Sequence, residues 1–173
     1  MKLKFLLFIM SIFLTTNILQ AQEKTATDIL NEAFAQAKEE NKNVMVIFSA
    51  SWCGWCKRLI ANINDDSCFE LFDKNYVITK MIVKESKNNK NLETPGGLQL
   101  LIDNKADKVG IPFFLIYDAD GNLLTDAFDD NGQNLGCPAS KEEVAVFKNK
   151  LKATSTLTDE ELAIIEEKFI LKK

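Results

Sequence analysis

Two cysteines stand three positions apart in the stretch Phe48-Ser-Ala-Ser-Trp-Cys-Gly-Trp-Cys-Lys57. A pair at this spacing, placed just after apolar β-formers, can close into a disulfide and open again by exchange. If a helix begins at the first cysteine, its free N–H groups favour a thiolate there and lower that thiol's pKa. Cys53 is then the expected nucleophile and Cys56 the resolving thiol.

Three chemistries compete for the pair. Half of a zinc site would need a second pair, but Cys68 and Cys137 are isolated and the chain has no histidine. A purely structural bond across so short a loop would restrict the unfolded chain little. Redox exchange is the reading that the spacing favours. The missing histidine also excludes Cys-His proteases, Ser-His hydrolases and haem attachment through Cys-x-x-Cys-His.

The pair needs elements to carry it. Ala26, Leu30, Ala33, Phe34 and Ala37 recur at helical spacing, which predicts a helix over 28–40 with Thr27 or Asp28 as its cap. The apolar run 44–48 suits a central strand covered on both faces, and the helix bearing the cysteines follows directly, from about 54 to 63. Asn64 to Ser67 reads as a helix stop, followed by a short helical piece around Phe69, Leu71 and Phe72. A strand is expected over 76–83, a polar loop over 84–94, and a helix from near Pro95 through Leu98, Leu101 and Ile102. Residues 112–117 and 122–128 flank Asp118-Ala-Asp-Gly121 as a hairpin, and 129–138 reads as a loop. Ser140 with Glu143, and Thr158 with Glu161, are capping boxes for helices running to about Lys152 and to Phe169. This order implies an α/β fold with a mixed sheet between two helical layers and the cysteine pair at the carboxyl end of a central strand. Leu162, Ile165 and Phe169 of the last helix are expected to pack on the core.

Trp52-Cys-Gly-Trp-Cys-Lys57 behind the run Val44 to Phe48, with Val109-Gly-Ile-Pro112 ahead of an apolar hairpin, resembles the thioredoxin superfamily. The likeness runs from about residue 28 to 152 and leaves 158–170 as a C-terminal helical extension. It is nearest in detail to the exported thioredoxin-like branch, in which a broken helical piece follows the active-site helix. The resemblance implies a three-layer α/β/α sandwich and a cis peptide bond between Ile111 and Pro112. It also implies that Trp52, Gly54, Trp55, Ile111 and Pro112 meet the substrate, with Trp52 packed beneath the active-site turn and Trp55 facing outward. Gly54-Trp55 differs from the Gly-Pro of reductive thioredoxins, which leaves the reduction potential unassigned. Where thioredoxins carry a buried acid for the resolving thiol's proton, this chain has Ile47, so either Glu85 or a water substitutes or the step is slow. A pH profile of disulfide exchange tests that absence.

Cys68 reads as a small buried hydrophobe. For Cys137, in Gly136-Cys-Pro138, three states stay open: a free thiol, a third redox thiol, or a bond to Cys68.

A length of 173 residues with 46% apolar and 27% charged side chains fits one domain. Lys2 and Lys4, the apolar run 5–14 and Ala21 have the layout of a secretory signal peptide, cleaved after Ala21 to leave a domain over 22–173. The apolar stretch is interrupted by Asn17 and Gln20 before it reaches a membrane span, so no stable membrane insertion is expected after cleavage. Loss of those two lysines takes the net charge from −4 to −6, which disfavours nucleic acid as a partner. Lysines 80, 84, 87 and 90 form a local basic run that a solvated strand end and loop explains. The expectation is therefore a periplasmic or secreted thiol-disulfide oxidoreductase that needs no cofactor or metal. It would exchange electrons with protein dithiols and disulfides, with a membrane thiol reductase as donor. The rival reading is a non-catalytic binding module or assembly factor on the same fold.

Overall fold

The computed structural model describes residues 23–172; the expected leader over 1–21 lies outside them. The chain runs α1 (Ala26–Glu40), β1 (Asn43–Ser49), α2 (Gly54–Ile63), α3 (Phe69–Asp73), β2 (Tyr76–Ile82), a 3-10 helix (Lys87–Leu92), α4 (Gly97–Asp103), β3 (Phe113–Tyr117), β4 (Leu123–Asp126), α5 (Lys141–Ala153) and α6 (Asp159–Phe169). The strands form one sheet in the order β2-β1-β3-β4. β1 is parallel to β2 and antiparallel to β3, and β4 closes the hairpin with β3.

The continuous apolar run predicted for a central strand is found in the centre: residues 44–49 of β1 are all buried. Phe114 and Tyr117 in β3 are three residues apart and so point to opposite faces of the sheet. The Tyr117 ring meets Phe34 of α1 at 5.7 Å, and Phe114 meets Phe147 of α5 at 5.5 Å. Helices therefore cover both faces, giving the α/β three-layer arrangement with a mixed sheet. The expected packing of the last helix is also present. Leu162, Ile165 and Phe169 are buried, and Phe169 lies 5.2 Å from the Phe147 ring and 6.2 Å from that of Phe72.

The differences from the sequence reading are local. α1 starts two residues early because Thr25, not Thr27 or Asp28, is its cap, and Asp28 returns a carboxylate to the Thr25 N–H at 2.9 Å. The Ala26 N–H, orphaned at the helix start, is taken by the Pro95 carbonyl at 2.8 Å. The expected loop over 84–94 contains the 3-10 helix, a short turn with no apolar period to announce it. β2 ends at Ile82 rather than Val83, because Lys84 takes a left-handed conformation, φ 55°, that turns the chain out of the sheet. β4 is shorter than 122–128. The capping boxes at Ser140/Glu143 and Thr158/Glu161 form as expected.

Candidate active site

β1 delivers the chain to the sheet's carboxyl edge, where residues 50–53 turn into α2. The Cys53 N–H closes this turn on the Ala50 carbonyl at 3.1 Å. Cys53 is the N-cap of α2, with extended backbone, and its sulfur accepts the Cys56 N–H at 3.1 Å. The two sulfurs are bonded to each other across a Cα separation of 5.3 Å. An N–H so placed at a helix start is the kind of donor that favours a thiolate over a thiol. Cys53 is 3% exposed and Cys56 fully buried. Gly54 is exposed beside them.

The second wall of the site is the Ile111–Pro112 loop, whose peptide bond is cis. Its Ile111 carbonyl oxygen lies 3.5 Å from the Cys53 sulfur, and Ile111 packs on the small cluster of Ala50, Cys53 and Cys56. Trp55, Ile111, Pro112, Gly136, Cys137 and Glu143 are among the residues lining an open cavity of about 200 Å³ alongside. Trp55 is 53% exposed at its rim, facing outward as the resemblance implied. Trp52 does not pack beneath the turn. It is 58% exposed, and its indole N–H donates to the Lys84 carbonyl at 3.0 Å. The physical reason is that bond: the indole N–H finds a carbonyl partner at the surface, and Ala50, Cys53 and Cys56 pack with Ile111 without it.

A family model described as thioredoxin-like matches residues 25–119, more than half of the chain. This chain belongs to the thioredoxin-like family. It is 29% identical over 131 residues to an uncharacterised protein of Haemophilus influenzae, covering 67% of this chain and 81% of that one. Among solved structures it is similar to the disulphide isomerase of Xylella fastidiosa Temecula1, with 21% identity, a TM-score of 0.49, and coverage of 65% of this chain and 80% of that one. It is also similar to the C-terminal domain of Neisseria meningitidis DsbD in the oxidised form, with 24% identity, a TM-score of 0.42, and coverage of 60% and 83% respectively.

This thioredoxin-like site is braced by Lys84, which the sequence offered only as part of a solvated basic run, and by Asn134, which it did not single out. The Lys84 ammonium donates to the Val109 carbonyl at 2.5 Å. On the other side, the Asn134 side-chain amide donates to the carbonyls of Gly110 at 2.8 Å and Pro112 at 3.0 Å. Burial pulls the Lys84 pKa down, and the charge of Asp107 partly offsets this. Both residues sit in segments that read as polar loop, where no periodicity marks them. Ile47 is buried where thioredoxins carry an acid. Glu85, the possible substitute, is 4% exposed, and both its oxygens accept from Ser51: one from the N–H, the other from the hydroxyl at 2.8 Å.

Cys68 and Cys137 are both free and buried, so no bond joins them. Burial pushes the Cys68 thiol's pKa up and that of Cys137 up to about 11, in the latter case against the pull of the Arg58 guanidinium. Among the described residues no group of three or more His, Cys, Asp or Glu is placed to hold a metal. A roomier cavity of about 350 Å³ behind α2, walled by Ile47, Ile60, Ile63 and Phe72 among others, contains none of the expected site residues. No helix among the described residues is long and apolar enough to cross a membrane.

Proposed function

We propose that this chain is a thiol-disulfide oxidoreductase of protein substrates, working outside the cytosol after removal of residues 1–21. The observation that carries the reading is the Cys53–Cys56 bond at the start of α2, opening beside Pro112 between two exposed tryptophans. In the reducing direction the Cys53 thiolate attacks a substrate disulfide. That bond breaks, one substrate sulfur leaves as a thiol after taking a proton, and a mixed disulfide remains. Cys56 then gives up its proton and attacks the Cys53 sulfur, which restores the Cys53–Cys56 bond and releases the second substrate thiol. Two electrons pass to the substrate, and a partner dithiol must supply them again; a membrane thiol reductase is the expected class. Run in reverse, the same steps oxidise a substrate dithiol.

Three features support Cys53 as the attacking sulfur. It is the one of the pair with any exposure, it receives the Cys56 N–H, and it stands against the Ile111 carbonyl. Trp52, Gly54, Trp55, Ile111 and Pro112 form the surface on which an extended substrate would lie. Cys53→Ser is expected to abolish reduction of insulin disulfides, and Cys56→Ser to accumulate a mixed disulfide with the substrate. A Cys53→Ser protein that reduces insulin as well as wild type would overturn the reading. One that merely keeps its affinity for client chains, in a wild type with no turnover, would point to a binding module.

A further inference from the structure

We propose that Lys84 and Glu85 are positioning residues that set the dithiol turn against the proline loop, a proposal that rests on the redox reading above. Four hydrogen bonds tie the segment after β2 to the end of β1 and the turn that follows it. The Val83 N–H donates to the Ser49 carbonyl at 2.8 Å, the Trp52 indole to the Lys84 carbonyl at 3.0 Å, and Ser51 gives both its N–H and its hydroxyl to the Glu85 carboxylate. Lys84 also reaches the other wall of the site, through its ammonium on the Val109 carbonyl. One short strap therefore touches both structures that must meet a substrate disulfide.

Its conformation is unusual for its residue type. Lys84 adopts φ 55°, a left-handed backbone that side chains other than glycine, asparagine and aspartate seldom take. The turn this makes lets consecutive residues aim a carbonyl at Trp52, an ammonium at Val109 and a carboxylate at Ser51. A carboxylate as buried as that of Glu85 is costly unless its oxygens are hydrogen-bonded. Here Ser51 is the partner for both oxygens, so the group holds the turn that ends in Cys53. The strap is itself anchored: the Glu85 N–H donates to Glu93 at 2.7 Å, and Glu93 is paired with Lys90 of the 3-10 helix.

Positioning and proton transfer make opposite demands on Glu85. A glutamine can still accept the Ser51 N–H through its carbonyl and donate its amide to the Ser51 hydroxyl, but it cannot carry a proton. The test uses the full chain with the dithiol reduced, and follows iodoacetamide labelling of Cys53 by mass spectrometry, a readout that needs no substrate. Glu85→Ala is expected to slow Cys53 labelling at neutral pH about 10-fold, because the thiolate loses its fixed place at the helix start. Ser51→Ala, at an exposed position, is expected to slow it about 3-fold through loss of one hydrogen bond, and serves if Glu85→Ala does not fold. Glu85→Gln is expected to recover most of the rate. Lys84→Met is expected to raise KM for a peptide disulfide about 5-fold, through loss of its bond to the Val109 carbonyl. Wild-type labelling in both Glu85→Ala and Ser51→Ala would overturn the positioning role, as would a Glu85→Gln protein as slow as Glu85→Ala. An unchanged KM in Lys84→Met would overturn the link to the proline loop. A wild type that labels as expected yet turns over no disulfide would instead sink the oxidoreductase reading and leave the strap standing.

Discussion

Cys53 and Cys56 have the same side chain, and their different environments give them different parts. Cys53 caps α2 and touches the surface; Cys56 is enclosed. The remaining thiols show what the protein does with sulfur it does not use. Cys137 lines the cavity beside Pro112, yet its pKa of about 11 keeps it protonated at neutral pH, and Cys68 is likewise pushed up by burial. A protonated, enclosed thiol is a poor nucleophile. In the folded, oxidised protein, neither Cys68 nor Cys137 is expected to take up iodoacetamide at neutral pH, and both are expected to label once the chain is unfolded in urea. Rapid labelling of Cys137 in the folded state would restore it as a candidate third redox thiol.

Elements meet at a few ionic and capping contacts. α6 is tied to the link between α2 and α3 by Lys168, which pairs with Asp65. That bond, with a smaller contribution from the Ser67 hydroxyl, lowers the Asp65 pKa from 3.8 to about 2. A carboxyl whose folded pKa is depressed stabilises the fold above its unfolded pKa and loses that effect as pH falls through the folded value. The gap in thermal midpoint between wild type and Asp65→Asn is therefore expected to be constant from neutral pH down to about 5. It should narrow between roughly 4 and 2 and be closed below that. A gap that stays constant to pH 2 would show that the pair contributes nothing through charge, as many half-exposed ion pairs do not.

The whole molecule is organised around one aromatic cluster that spans the sequence. Phe72 of α3, Phe114 of β3, Phe147 of α5 and Phe169 of α6 make ring contacts at 5.2 to 6.4 Å. The last helix thus covers core shared with α3 and α5, although it lies beyond the region of family resemblance. Arg58 of α2 adds a link by donating to the Phe169 carbonyl at 3.1 Å. Phe169→Ala is expected to cost about 3–5 kcal/mol by leaving a cavity against Phe72 and Phe147, measured as a fall in the urea midpoint. A loss under about 1 kcal/mol would mean that α6 is an appendage rather than part of the core.

Local chemistry was legible from residue order alone. The Cys-x-x-Cys pair, the apolar central strand and the capping boxes of α5 and α6 are all decided within a few residues of themselves, and the structure has them where the pattern puts them. The resemblance to thioredoxins added the cis bond before Pro112. What the sequence could not convey is pairing at a distance. The resemblance puts Trp52 beneath the active-site turn, but it lies on the surface with its indole on the remote Lys84 carbonyl. Lys84 and Asn134 read as loop residues, because their partners, the carbonyls of residues 109–112, are backbone atoms that carry no sequence signal. A hydrogen bond between a side chain and a remote carbonyl exists only once the chain has closed, and those bonds are what give this site its shape.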